Sequence, residues 1–339
     1  MCVVDTGSCA HAAIVCAPVI RISCRQTDFR RPSLTAMDLR QLAALTAVAD
    51  CGTFSAAAER LHTVQSNVSA HIARLERQLG VTLIDRSAGR LTEEGEVVVA
   101  RARRVHNELE ALVADVNALR NEVIGEVHVG VIGTVARWLV PALHHRMTTL
   151  HPGVRLVVVD ASTTSLAPQL LAGTLSLAVV NLPISDPDMA VTPLFEEDMI
   201  AVVPSDHPLF ARDTLDVRDL DGIPVILPPK GTSYRTELDR SAELVGITLV
   251  SRAEIDGVRL IASLAFDGVG VAVVPATAVP PKTSGPWKAI PVSGMPPRIV
   301  GVVQRRRGML PAPARALMEV LRTVLVVEAA RQSGVRLIR

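Results

Sequence analysis

Between Val98 and Val123 apolar residues return at steps of 4, 3, 4, 3, 4, 3 and 4: Val98, Ala102, Val105, Leu109, Leu112, Val116, Leu119 and Val123. That is an a/d heptad seam sustained for more than three heptads, and it predicts one continuous helix over residues 93–123. Thr92 is placed to cap it, and Glu93 and Glu94 suit the positive end of its dipole. At 1.5 Å per residue such a helix is ~45 Å long, too long to pack inside one small domain. The seam must bury itself against a second copy or dock on the chain's own C-terminal half. The expectation is a second copy, met through Val98, Val105, Leu109, Leu112, Val116 and Leu119.

The chain has 339 residues, 49% of them apolar, with Lys+Arg 35 against Asp+Glu 34. A chain this apolar and this close to neutrality can offset its ordering entropy, so it folds. No apolar run approaches the ~20 residues that span a bilayer, so no membrane partner is expected. A net charge of +1 means that any nucleic acid must be met by a local patch. Only Lys230, Lys282 and Lys288 are lysines; the arginines reflect either a GC-rich genome or bidentate phosphate contacts. Cys2, Cys9, Cys16 and Cys24 precede residue 37 and only Cys51 follows, so the body is no disulfide scaffold and suits a reducing cytoplasm. Residues 1–36 carry no helix or strand period, lack the cation-then-apolar order of a signal peptide, and space their cysteines unlike a zinc site. They are expected to be a disordered extension, or upstream sequence taken in by an early start codon.

Residues 37–92 predict three short helices. Leu39, Leu42, Leu45 and Val48 share one face before Gly52, and Thr53 or Ser55 can cap a second helix over Ala56–Leu61. Val68, Ile72, Leu75 and Leu79 stripe a third that Gly80 ends. The second and third are separated by only a few residues, as in a helix-turn-helix. With the stripe inward, Gln65, Ser66, Asn67 and Ser69 crowd the start of the outer face, where a helix entering the major groove reads base edges. Arg74 and Arg77 lie further along, where phosphate contact is expected rather than base readout. Val81–Arg86 and Arg90–Thr92 flank a Ser87-Ala88-Gly89 turn, a two-strand wing that carries Arg86 and Arg90. Geometry alone leaves DNA binding and an ordinary solvated surface both open.

Here the residues carry a family likeness. Ala56-Ala57-Ala58, Leu61, Gln65-Ser66-Asn67-Val68-Ser69, Ile72, Leu75-Glu76, Leu79-Gly80, Leu83-Ile84-Asp85-Arg86, Leu91-Thr92 and Gly95 together resemble the N-terminal domain of LysR-type transcriptional regulators. The resemblance implies base contacts from Gln65, Ser66 and Ser69, a wing contact from Arg86, and dimers that pair into tetramers. The chain departs from it at Ser66-Asn67, where many members have Pro-Ala, and at Ala70, where many have Arg. Those departures bear on which sequence is preferred.

Residues 124–330 alternate strands with helices, which predicts a mainly parallel α/β sheet. In such sheets ligands bind beyond the carboxyl ends of strands, at helix N-termini. Gly133-Thr134, Ser162-Thr163 and Gly231-Thr232-Ser233 occupy such positions and suit a small anion; singly, each also reads as an ordinary cap. Asp256 begins another helix and opposes an anion unless Lys230 or Arg235 balances it. The resemblance implies an effector domain of the periplasmic-binding-protein type: lobe 1 over 124–197 and 298–330, lobe 2 over 198–297, with chain crossings near Phe195–Asp198 and Pro296–Ile299. His207-Pro208-Leu209 and Gly268-Val269-Gly270-Val271 with Pro275 match the family's landmarks, whereas Ser176 stands where Asp is usual.

No metal, cofactor or catalytic constellation is read: His144, His145 and His151 lack ligand spacing, and no nucleophile motif occurs. The expectation is an α+β multidomain cytoplasmic regulator, not an enzyme. It would join a winged helix-turn-helix, a coiled-coil linker helix and a two-lobed α/β effector domain. Its expected partners are promoter DNA, a second copy and a small-molecule effector, with RNA polymerase a further candidate. The alternative is a solute-binding protein without a DNA-binding role.

Overall fold

The computed structural model describes residues 37–120, 122–281 and 283–338. The expectations for residues 1–36 lie outside them. Helix α1 (Leu39–Cys51) starts on a reciprocal cap: Asp38 accepts from Arg40 N at 3.0 Å, and Gln41 Oε1 accepts from Asp38 N at 3.2 Å. It stops at Gly52, which adopts the left-handed φ of 74° that a residue with a Cβ avoids. Thr53 caps α2 (Phe54–Arg60), and α3 (Gln65–Leu79) ends at Gly80. Val68, Ile72 and Leu75 are buried against Ala44, Leu45, Val48 and Ala57, with Leu79 half-buried at the end of the stripe. The wing is shorter than expected: β1 (Ile84–Asp85) pairs antiparallel with β2 (Arg90–Leu91) over two residues.

The linker helix α4 (Glu93–Ala118) is capped by Thr92. A Cβ on Gly95 would collide with the Leu83 carbonyl, so the helix can lie this close to the wing only with glycine there. It ends at Ala118, not at Val123, which corrects the expected span. Val123 instead packs half-buried on the core of the following domain, just before Gly125 begins its first strand. Most buried positions of α4 are offset from the heptad seam: Val99, Ala111 and Ala114 face the rest of the chain beside it, whereas Ala102, in the seam itself, is buried as well. Val98 is half-buried on the head, and Val105, Leu109, Leu112 and Val116 are exposed, Leu112 by 61%. Leu119, placed in the seam by its spacing, caps the helix and is 86% exposed.

Two six-stranded sheets follow. Lobe 1 runs through β3 (Gly125–Val131), α5 (Gly133–Leu150), β4 (Val154–Asp160), α6 (Thr163–Ala172), β5 (Leu177–Asn181) and β6 (Met189–Glu197). The chain crosses at Asp198 into lobe 2: β7 (Met199–Pro204), β8 (Leu215–Asp216), β9 (Pro224–Leu227), α7 (Ser233–Leu244), β10 (Val250–Glu254), α8 (Val258–Phe266), β11 (Val271–Pro275) and β12 (Trp287–Ser293). It returns over 294–297 to β13 (Arg298–Arg305), α9 (Ala312–Ala329) and β14 (Val335–Leu337) in lobe 1. The sheets are mixed rather than mainly parallel. Strand β3 is parallel to β4 and β5, and β9 to β10 and β11; the crossing strands β6, β7, β12 and β13 make antiparallel ladders because the chain re-enters each sheet from its far end. Strand β14 pairs with β6, so the lobe-1 sheet reaches beyond the expected end at residue 330.

Where the two crossing strands meet, Glu197 and Arg298 form a buried ion pair. Glu197 also accepts from Thr277 N at 2.5 Å, and Arg298 donates to Thr134 Oγ1 at 3.0 Å. The pair therefore ties β6, β13, the start of α5 and lobe 2 at one point. A buried pair tolerates its desolvation only when partners of this kind surround it.

Candidate nucleic-acid interface and effector cavity

Of the residues expected to meet DNA, Gln65, Ser66, Asn67, Arg74, Arg77, Arg86 and Arg90 are exposed and Ser69 is half-buried. No side chain caps the start of α3, whose N-cap is Val64; Asn67 N donates to the Val64 carbonyl at 3.0 Å, which leaves the Gln65 and Ser66 amides available to a phosphate. Local bonds already orient two of the base-reading candidates. Ser55 donates to Gln65 Oε1 at 3.2 Å, and Asn67 Nδ2 donates to Thr63 Oγ1 at 3.0 Å. Gln65 thus offers its amide N–H groups, and Ser66 stands beside them. In the wing, Asp85 accepts from Ser87 Oγ at 2.6 Å, Ser87 N at 2.9 Å and Ala88 N at 3.1 Å. The Ser87 hydroxyl and these amides hold the Asp85 carboxyl below its usual range. The turn that spaces Arg86 from Arg90 is built on that carboxylate.

Sequence reasoning missed the joint between head and linker. Asp50, at the end of α1, accepts from Arg60 of α2 at 3.0 Å and from Arg103 of α4 at 2.5 Å. The Cys51 thiol and the Asp50 carboxylate raise the Arg60 guanidinium further.

Six of the seven residues expected to bind an effector meet in one cavity of about 420 Å³ between the lobes: Gly133, Thr134, Ser162, Thr163, Thr232 and Ser233. Gly231 does not line it; it forms the positive-φ turn that delivers Thr232, which caps α7 by accepting from Arg235 N at 3.3 Å. Helices α5, α6 and α8 all begin at this cavity without a side-chain cap, which leaves backbone N–H donors open. The hydroxyls are more committed than expected. Thr163 Oγ1 accepts from Asn181 N at 3.1 Å, and Ser162 is bonded to Thr164 and Ser165. Ile132, Val258 and Leu260 supply apolar wall, as does Tyr234. Its hydroxyl donates to the Val273 carbonyl at 2.9 Å, and burial pushes that phenol up.

The charged lining was not legible in local spacing. Arg298 and Arg259 enter from β13 and α8, with Asp160 from the end of β4 and Asp256 beside Gly257. Arg235 does not balance Asp256: it donates to Asp239 at 2.9 Å and to Glu254 at 3.1 Å. Behind the cavity, α6 leads to the linker. Its far end presents the Leu171 and Gly173 carbonyls, which accept from Arg104 and Asn107 of α4. Further along α4, Asp115 accepts from Ala312 N at 3.0 Å and from Arg315 at 3.1 Å, capping α9. Arg103, which grips the head, is thus adjacent to Arg104, which grips lobe 1. Among the described residues no cluster of three or more His, Cys, Asp or Glu side chains could hold a metal ion, and no helix is long and apolar enough to cross a membrane.

Comparison with known proteins agrees with this division. A family model described as LysR substrate binding domain matches residues 120–326, and one described as bacterial regulatory helix-turn-helix protein, lysR family, matches residues 39–96. A probable hydrogen peroxide-inducible genes activator of Streptomyces viridosporus is 31% identical over 316 residues, covering 91% of this chain and 98% of that protein. A full-length OxyR variant from Pseudomonas aeruginosa superposes with a TM-score of 0.70 at 26% identity, covering 89% of this chain and 99% of that one. CbnR, solved in complex with its target DNA, shares the fold at a TM-score of 0.64 and 24% identity, covering 85% and 100%.

Proposed function

The chain belongs to the LysR family of DNA-binding transcriptional regulators, and from that premise we propose how this member works. It is a regulator and not an enzyme. Gln65, Ser66 and Ser69 read bases, while Arg74, Arg77, Arg86 and Arg90 hold phosphates beside them. The exposed face of Val105, Leu109, Leu112 and Val116 meets the same face of a second copy, with Val98 and Leu119 at its ends, so that two heads address two half-sites. Dimers pair into tetramers, the protein acts in the cytoplasm, and RNA polymerase is the partner at the promoter. A small anionic effector in the interlobe cavity biases the assembly, provided it binds two arrangements with different affinity. The observation that carries this reading is α6: its first turn lines the cavity and its last carbonyls are held by the linker helix. The test is a footprint on DNA upstream of the gene, at ~0.15 M salt where non-specific binding is weak. Protection of two related half-sites is expected. Failure of genome-wide selection to find any preferred site would overturn it.

Relatives named for hydrogen peroxide suggest a second stimulus, and one observation disfavours it as thiol chemistry. No cysteine follows Cys51, so the effector domain has no thiol, and its cavity carries hydroxyls such as that of Ser233. A sulfur in the effector domain is needed for sulfenate or disulfide formation there. We therefore assign the cavity to reversible ligand binding. With all five cysteines replaced by serine, hydrogen peroxide is expected to leave the footprint unchanged; a peroxide-induced shift that persists in that variant would overturn this assignment.

A further inference from the structure

The cavity holds two guanidiniums, and each is already matched. Arg298 is paired with Glu197 in the buried joint between the crossing strands. Arg259, in the first turn of α8 in lobe 2, is paired with Asp160, which ends β4 in lobe 1. Among the described residues this is the ion pair that links the lobes at the cavity mouth. Asp256 also lines the cavity, so its two acids and two arginines leave no unmatched cation among the lining residues for an anion entering as the cavity stands, and Arg137 behind them is held by the Thr277 and Ala278 carbonyls. The place where an anion could be held is also occupied. The Asp160–Arg259 pair lies over Gly133, the first residue of α5: a Cβ there would come within 2.8 Å of Arg259 Nε and 2.9 Å of Asp160 Oδ1. A side chain at 133 would displace the pair, and the glycine lets the carboxylate rest against the uncapped start of the helix.

Resting on the reading of this cavity as an anion site, we propose that Asp160 is a built-in competitor for the effector's carboxylate. The effector binds by taking Arg259 from Asp160. Selectivity follows from this exchange, because an anion must both outcompete a tethered carboxylate and fill the apolar wall of Ile132, Val258 and Leu260. So does a response: the bridge between the lobes passes from a side chain of fixed length to a ligand whose size sets the gap. Both partners are half-exposed, so exchange needs no opening of the core.

The test measures binding of acetate, butyrate and phenylacetate to the full-length chain, with butyramide and phenylacetamide as neutral controls. Asp160→Asn is expected to tighten the carboxylates about tenfold by removing an opposing charge at contact distance, and to leave the amides unchanged. Asp256→Asn removes the same charge from the same cavity without releasing Arg259, and is expected to give a clearly smaller gain. Arg259→Gln in the Asp160→Asn background is expected to abolish the gain. Equal carboxylate affinity in wild type and Asp160→Asn overturns the competitor role and leaves the anion site standing. Equal gains from Asp160→Asn and Asp256→Asn reduce the effect to the general field and likewise overturn it. Carboxylates that bind no better than their amides even to Asp160→Asn overturn the anion site itself.

Discussion

The reading head and the effector cavity are both lined with arginine, and they hold it in opposite states. Arg74, Arg77, Arg86 and Arg90 are exposed and form no ion pair among the described residues. In the cavity Arg259 and Arg298 are each paired with a carboxylate. On the proposed reading, the unpaired set has nothing to give up on meeting phosphate, so it is expected to supply affinity that falls with salt whatever the sequence. The paired set is proposed to give little net attraction to a passing anion and to respond to a ligand that can replace what it already holds. One region is built to associate readily and the other to discriminate, with the same side chain.

The sharpest way to break that contrast is at the joint of the crossing strands, where the arginine is structural. Glu197→Ala leaves Arg298 buried and uncompensated and is expected to cost about 3–5 kcal/mol, read as a fall in the thermal unfolding midpoint of the effector domain. Pairing Glu197→Leu with Arg298→Met is expected to recover most of that loss. A Glu197→Ala protein with unchanged stability would show that the paired and unpaired arginines do not differ as described. Next in size are the proposed base-reading and phosphate contacts. Gln65→Ala is expected to cost ~1–3 kcal/mol on the correct operator and little elsewhere. Arg86→Ala should weaken binding to every duplex and reduce the salt slope by about 1 without moving the unfolding midpoint. If both changes lose only sequence preference, the unpaired arginines are not phosphate contacts.

The two regions also differ in how far local sequence discloses them. Gln65 to Arg90 lie on one helix and the ribbon after it, so a 3.6-residue period and one turn are enough to orient them. The cavity is assembled from β4, α5, α6, α7, α8 and β13, and only its backbone-rich positions announce themselves, as Gly-Thr or Ser-Thr steps after strands. Asp160 and Arg259 are 99 residues apart in sequence and Glu197 and Arg298 are 101 apart, so no spacing rule pairs them. The same limit weakens the local signal of three strands. Strand β6 contains Pro193, where its register with β13 shifts, β12 contains Pro291, and β14 exists because β6 offers an edge. In the linker the heptad period located a face that stays exposed from Val105 to Leu119, while its first residues, Val98 and Ala102, join Ala111 and Ala114 in the chain's own packing. A seam of large residues is the stronger sequence signal, but small residues set how closely a helix docks on its own domain.

The smallest expected effect compares two carboxylates at strand ends, Asp85 in the wing and Asp160 in the cavity. Asp160 faces a cation, whereas Asp85 is satisfied by the Ser87 hydroxyl and the Ser87 and Ala88 amides. Its folded-state pKa is depressed from an ordinary 3.8, so its contribution is fully present above that value and is lost as pH falls through the lower folded-state one. The wing turn should therefore hold at neutral pH and loosen only in acid below about pH 4, with Arg86 and Arg90 losing their fixed spacing. Amide hydrogen exchange at Ser87 and Ala88, compared between neutral and acid pH, measures this directly. Asp85→Asn keeps an acceptor oxygen but not the charge, and is expected to lower the protection of both amides, taken against the intrinsic exchange rate at each pH, and to make that protection insensitive to acid. Acid-sensitive protection that survives Asp85→Asn would place the control of the wing elsewhere, and Asp85 would then be as passive as any exposed turn acid.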